Sequence, residues 1–278
     1  MSQVWLITGS SRGLGRAMAE AVLRAGHRLV ATARRPEELD SLVKLYGEQI
    51  RAVALDVTDP AAAQGAVDVA IAGFGRLDVL VNNAGYGNLA PVEDTSLEDF
   101  RAQIEANLFG TIIVTKAALP VMRRQRGGHV IQVSSVGGRI GPIGRGAYAA
   151  AKWGVEGFSE TLAKEVEAFG IKVTIVEPGG FRTDFAGSST SIREGSADYA
   201  GTVGVVARFQ RDFDGKQPGD PARAAAIILG IAEMEKPPMR LVLGRTAYEG
   251  VEKNDAAKLA ELRAWRETSL SADFEASS

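Results

Sequence analysis

Seven short apolar runs, separated mostly by longer stretches of helical periodicity, leave this chain few architectures to fold into. The runs are Gln3–Thr8, Arg28–Ala33, Arg51–Leu55, Leu77–Asn82, His129–Ser134, Ile171–Glu177 and Arg240–Gly244. Val4-Trp5-Leu6-Ile7 and Val79-Leu80-Val81 are apolar throughout, as befits strands covered on both faces. Helical patterns lie near 14–25, 37–46, 60–73, 97–119, 148–169 and 221–235. Pro36 followed by Glu37 and Glu38 reads as a helix first turn, a fixed φ and then acids at the positive dipole end. Asp59-Pro60 opens another helix in the same way. The alternation predicts an α/β fold: a doubly wound parallel sheet of seven strands with helices on both faces. At 278 residues the chain fits one domain, its body over 1–248 and a helical extension with a polar tail over 249–278. The Gly/Ser-rich stretch Gly187–Gly219 has weak periodicity and follows the sixth strand, so an irregular substrate lid is expected there.

Composition removes several chemistries. A net charge of -2 gives no basic field for nucleic acid or an anionic membrane. There is no cysteine, and His27 and His129 stand apart, which argues against thiol, triad and His-rich metal sites. No apolar run approaches the roughly 18 residues of a membrane span. The N-terminal apolar run leads straight into a glycine loop, unlike a signal peptide, and the expected location is the cytoplasm.

That loop is Thr8-Gly9-Ser10-Ser11-Arg12-Gly13-Leu14-Gly15, between the first strand and the first helix. Its spacing is G-x-x-x-G-x-G rather than G-x-G-x-x-G. The physics is shared: glycines allow a sharp turn and close approach to phosphate, and a helix N-terminus offers free N–H groups. The second strand ends Ala31-Thr32-Ala33-Arg34-Arg35, without the acid that binds ribose hydroxyls in an NAD site. Arg34 and Arg12 can instead meet a 2′-phosphate, which favours NADP(H) over NAD(H). Asp56-Val57 follows the third strand and would face the adenine. Asn82-Asn83-Ala84-Gly85 follows the fourth and would lie beside the cofactor.

Tyr148 and Lys152 are four residues apart, hence on one helix face. A phenol titrates near pH ~10, and a neighbouring ammonium favours its phenolate. Tyr148 could then pass a proton to or from a carbonyl oxygen. Ser134-Ser135 ends the fifth strand, where a hydroxyl could hold that oxygen, and Asn107 could add a polar contact from another helix.

In this order and spacing, the motifs resemble the short-chain dehydrogenase/reductase family from Val4 to about Thr183, and more loosely beyond. The resemblance implies a single Rossmann-like domain, often assembled as a homodimer or homotetramer. It implies that Ser135, 13 residues before Tyr148, is the catalytic serine, and that Tyr148 is the acid/base. By the same resemblance Lys152 binds nicotinamide ribose and tunes Tyr148, and Asn107 supports a water linking Lys152 to a proton relay. Gly9, Ser11, Arg12 and Leu14 would line phosphates and ribose. Pro178, Gly179, Phe181 and Thr183 would embrace the nicotinamide end.

The expected activity is hydride transfer between NADP(H) and a small-molecule carbonyl or alcohol. Alternatives are a non-catalytic dinucleotide-binding regulator, or imine or enoyl reduction, a lyase or an epimerase on the same frame. Expected pocket positions are Val136, Gly137, Tyr86, Phe181, Phe185 and the 187–219 segment. These are mostly apolar or small, which favours a hydrophobic or aromatic carbonyl compound. Arg139, Arg145 or Arg182 could instead meet a carboxylate, although such arginines are ordinarily surface charges.

Overall fold

A computed structural model describes residues 2–274. Strands β1 (Val4–Ile7), β2 (Arg28–Ala33), β3 (Ile50–Ala54), β4 (Val79–Asn82), β6 (Gly128–Val133), β7 (Ile171–Pro178) and β9 (Arg240–Leu243) form one parallel sheet. Its order is β3-β2-β1-β4-β6-β7-β9. All seven expected strands are present, with ends shifted by at most two residues. The chain runs outward from β1 to β3, then returns to the other side of β1 with β4. That reversal opens a crevice at the carboxyl ends of β1 and β4, where ligands of open α/β sheets bind.

Period-two alternation explains the two cores. Trp5 and Ile7 of β1 join Leu29, Ala31, Val79, Val81 and Ile131 on one face. Helices α1 (Gly13–Arg24) and α8 (Pro221–Glu233) cover that face with Met18, Val22 and Ile228. Val4, Leu6, Val30, Leu80 and Val130 face the other way. There α3 (Pro60–Phe74), α5 (Gly110–Gln125) and α6 (Gly146–Val166) supply Val67, Val114 and Leu162. As the sequence suggests, Asp59 caps α3, its carboxylate accepting from Ala61 N–H at 2.8 Å. Pro36–Leu39 forms a 3₁₀ turn ahead of α2 (Asp40–Tyr46).

Two expectations need correction. Although no membrane-length apolar run is evident in the sequence, α4 (Leu97–Ile104) and α5 join into one helix of 29 residues. It is long and apolar enough to cross a membrane by length and composition. In the fold its Val114, Ala118 and Met122 lie fully buried in the second core instead. The 187–219 segment is also more regular than its composition suggests. β8 (Thr190–Ile192) pairs in parallel with β5 (Gly87–Leu89), and α7 (Val203–Phe213) packs Val203 and Ala207 against Leu89. The tail continues as α9 (Arg245–Ala264) and α10 (Arg266–Leu270), and its last residues, 275–278, lie outside the described residues.

Candidate active site

The glycine loop is held where the crevice opens. Thr8 Oγ1 accepts from the N–H groups of Asn83 and Ala84, both at 2.9 Å. Asn83 Nδ2 donates back to Thr8 O at 2.9 Å and Gly9 O at 3.2 Å. Gly9 and Gly13 adopt φ +68° and +57°, which a β-carbon disfavours. A Cβ on Gly15 would collide with the Gly9 carbonyl oxygen and lie 2.5 Å from Asn83 Nδ2. Arg12 is the N-cap of α1, yet no side chain caps that helix, and its first turn holds no acid. A close-packed cradle ending in an uncapped helix N-terminus fits the pyrophosphate of a dinucleotide.

Around the loop, Arg34 is exposed at the tip of β2, and Arg12 is exposed in the loop. Neither forms an ion pair among the described residues, whereas Arg35 pairs with Glu38. Glu38, in the first turn after β2, reaches the glycine loop. Its carboxyl is held below the ordinary carboxylate range by a hydrogen bond from Ser11, then by Arg35 and Arg12. Asp56 is spent on its own turn, accepting from Thr58 N–H at 3.0 Å and Thr58 Oγ1 at 2.7 Å. Those bonds hold its pKa low, with a smaller contribution from Arg34. Val57 packs where a Cβ on Gly110 would meet its Cγ2 at 2.5 Å, fixing the approach of α5.

Tyr148, Lys152 and Glu156 follow one another at intervals of four along the buried face of α6. Tyr148 is 5% exposed and Lys152 4%. Lys152 Nζ lies 5.8 Å from the Tyr148 ring centre and donates to Val133 O at 2.8 Å. Burial brings Lys152 down to about 8, with Glu156 pulling it up. Burial also raises the Tyr148 phenol, and Ser135 and then Arg145 oppose that rise. The lowering of the phenol expected from Lys152 does not arise; Ser135 and Arg145 are the groups that oppose desolvation.

The two adjacent serines have different surroundings. Ser135 Oγ accepts from Gly137 N–H at 3.0 Å and stabilises the phenolate of Tyr148. Ser134 is buried with its hydroxyl against Glu156. Gly137 forms the floor between the first pair: a Cβ there would lie 3.4 Å from Ser135 Oγ and 3.5 Å from Tyr148 Cε1. Val136 begins the same short turn.

Asn107 sits in a π-turn, Glu105–Phe109, where α4 passes into α5. Such bulges recur at functional sites because they re-aim one side chain. Its Nδ2 donates to Tyr86 O at 3.0 Å and Gln103 O at 3.1 Å. Its Oδ1 is buried without a protein partner. A Cβ on Gly85 would lie 2.5 Å from that oxygen and 3.9 Å from Lys152 Nζ, so glycine keeps the space between them open.

The segment after β7 closes the site from above. Pro178 ends β7, and Gly179 N–H donates to Leu243 O at 2.9 Å. Thr183 approaches the glycine loop, its Cβ 3.4 Å from where a Gly13 Cβ would be. Phe185 meets the Tyr148 ring at 5.6 Å between centres. Tyr86 is partly exposed beside Asn107. Phe181 is half-buried, its ring packed beside Gly219 and against the first core.

The three candidate arginines also separate. Arg139 is bound to Glu177 at 3.0 Å and to Asp255 of α9. Arg182 donates to Gln217 O at 3.2 Å. Arg145 is no surface charge: its Nη1 is buried without a partner, and its guanidinium lies 5.8 Å from the Tyr148 ring centre. Both histidines are structural. His27 Nδ1 accepts from Gln3 N–H at 3.0 Å, and His129 Nε2 meets Thr174 Oγ1 at 2.9 Å.

A family model described as short chain dehydrogenase matches residues 3–194. The chain belongs to the short-chain dehydrogenase/reductase family. A solved short-chain dehydrogenase from Streptomyces avermitilis has a TM-score of 0.92 to this fold, at 42% identity. That match covers 99% of this chain and 100% of the other. Oxidoreductase BOA17 of Botryotinia fuckeliana (strain B05.10) is 50% identical over 271 residues, 97% of this chain and 99% of the relative. A 3-ketodihydrosphingosine reductase of Bacteroides thetaiotaomicron is 35% identical over 248 residues, 87% and 88% of the two chains. This short-chain dehydrogenase is therefore an oxidoreductase that uses a nicotinamide dinucleotide, NAD(H) or NADP(H).

Proposed function

We propose that the enzyme reduces a ketone or aldehyde with NADPH, Tyr148 supplying the proton. The observation that supports this most is the pairing of buried Tyr148 and Lys152 with half-buried Ser135 at the sheet's carboxyl edge, beside the glycine loop. The 3-ketodihydrosphingosine reductase among its relatives, by its name, acts on a ketone.

When bound, the nicotinamide supplies the hydride. Gly9, Ser11, Arg12 and Leu14 receive phosphates and ribose, and Asn83, Ala84 and Gly85 line the floor beyond them. Arg34 and Arg12 take the 2′-phosphate, because Arg35 is already neutralised by Glu38. Ser135 donates a hydrogen bond to the carbonyl oxygen and Tyr148 gives that oxygen its proton as the carbonyl carbon gains hydride, so C=O becomes CH–OH. Lys152 then favours the phenolate left behind and orients the ribose. Asn107 Oδ1 completes the route by which Tyr148 regains a proton past Gly85. Thr183 and Phe185 hold the nicotinamide end closed and exclude water, with the 187–219 segment as lid.

A panel of ketones and aldehydes followed by NADPH absorbance tests the reading. Carbonyl-dependent loss of absorbance, slower with NADH, is expected. NADPH binding without turnover of any carbonyl would defeat it.

A further inference from the structure

Resting on the carbonyl-reductase reading, the geometry points to Arg145 as the residue that holds a carboxylate of the substrate, which makes the substrate an oxo acid.

A buried cation is expensive unless it is paired, and elsewhere this chain pairs such cations. Arg139 has Glu177 and Asp255. Arg240 has Glu156, Glu160 and Glu177. Arg145 has no acidic partner among the described residues. Its Nη2 donates to the neutral amide oxygen of Gln210, and its Nη1 is enclosed without an acceptor. Burial holds its pKa below the ordinary arginine value, and the only group working the other way is the Tyr148 phenol.

Its position suits a substrate contact. The guanidinium lies 5.8 Å from the Tyr148 ring centre, and Phe185 lies 5.6 Å from the same ring. A Cβ on Gly87 would stand 3.1 Å from Arg145 Nη1 and 3.2 Å from the Phe185 ring. The cation is therefore wedged between β5, the closing segment and the phenol that gives the proton. An acid group a few bonds from the reacting carbonyl would reach it. A guanidinium fork matches a carboxylate in bidentate fashion, and one cation among aromatic rings balances one negative charge.

Gln210 stands in for that acid. Its Oε1 takes the Arg145 donor, while its Nε2 donates to Ala186 O at 3.1 Å, so the amide belongs to the lid. A substrate carboxylate replaces a neutral acceptor with a charged one, and acid binding is thereby coupled to the seating of α7.

The test compares acetoacetate and 4-oxopentanoate with their methyl esters, under NADPH, in wild type, Arg145→Gln and Arg145→Lys. Wild type should show higher kcat/KM for each acid than for its ester. Arg145→Gln should cut that acid-to-ester ratio by about 10- to 100-fold, the worth of a hydrogen bond to a charged group, with Arg145→Lys in between. Titration of 4-oxopentanoate into the enzyme–NADP⁺ complex should show the same loss without turnover. Equal rates for acid and ester in wild type would overturn the assignment. So would an Arg145→Gln enzyme slowed equally on both, since the guanidinium would then act on the phenol. Neutral ketone reduction without acid preference would refute this inference and leave the reductase reading standing. Arg145-dependent binding of 4-oxopentanoate with no turnover of any carbonyl would do the reverse.

Discussion

Gly15→Ala is the sharpest probe of where the dinucleotide binds. The added methyl would collide with the Gly9 carbonyl oxygen and lie 2.5 Å from Asn83 Nδ2. The Asn83 amide can swing aside, but the Gly9 oxygen is backbone and cannot move without the loop. The loop must therefore move away from α1. Overpacking of this kind costs about 1–3 kcal/mol, partly offset by alanine's helix propensity of about 1 kcal/mol. The net loss of global stability should then be up to about 2 kcal/mol. Affinity should fall as well, since a displaced loop misaims the N–H groups presented to the pyrophosphate. Losing one charge-assisted bond, about 1.5–3 kcal/mol, weakens binding by about 10- to 150-fold. Calorimetric titration should show the loss for NADPH and NADH alike, because both share the pyrophosphate. Gly65→Ala is the control: a methyl on this exposed position of α3 meets nothing within 4 Å, so both affinities should stay unchanged. A folded Gly15→Ala protein with wild-type dissociation constants would refute phosphate binding at this loop.

Arg34→Ala should weaken NADPH by about 10- to 100-fold and NADH only slightly, by direct titration, because only NADPH carries the 2′-phosphate. Equal losses would mean that Arg34 does not read that group. With Lys152 at about 8, reduction should decline as pH rises through about 8, and Glu156→Gln should move that limb to lower pH, since Glu156 raises the lysine. His129 is buried and brought down from 6.5 to about 4, so the unfolded chain binds its proton first as pH falls. Stability should then drop by about 3 kcal/mol between about pH 6.5 and 4 from this residue, and His129→Gln should flatten that part of a urea-denaturation profile.

Much of the frame was legible because its signals are local. β1 and β4 are buried on both faces and therefore apolar throughout, and Tyr148 and Lys152 share a helix face whatever the rest of the fold does. The cofactor-edge positions follow once strand ends are known, as for Asn83 and Thr8. Other features depended on distant partners. β8 is only three residues long and exists because β5, about 100 residues earlier, lies beside it. Arg145 sits among loop-forming residues and reads as a surface charge. Its burial comes from Phe185, Tyr148 and Gln210, brought together by the fold. Glu156 had a readable signal, four residues beyond Lys152, but only its burial beside Ser134 and Arg240 gives it weight.

The central claim is that Tyr148 gives the proton during hydride transfer. Tyr148→Phe removes one hydroxyl from a ring held by Phe185 and Arg145, so the fold and the dinucleotide cradle should persist. With any carbonyl substrate found in the screen, NADPH affinity should stay within about twofold while kcat falls by about 10²- to 10⁴-fold, the usual worth of a general acid. A Tyr148→Phe enzyme that binds NADPH and turns over at a rate close to wild type would contradict the account.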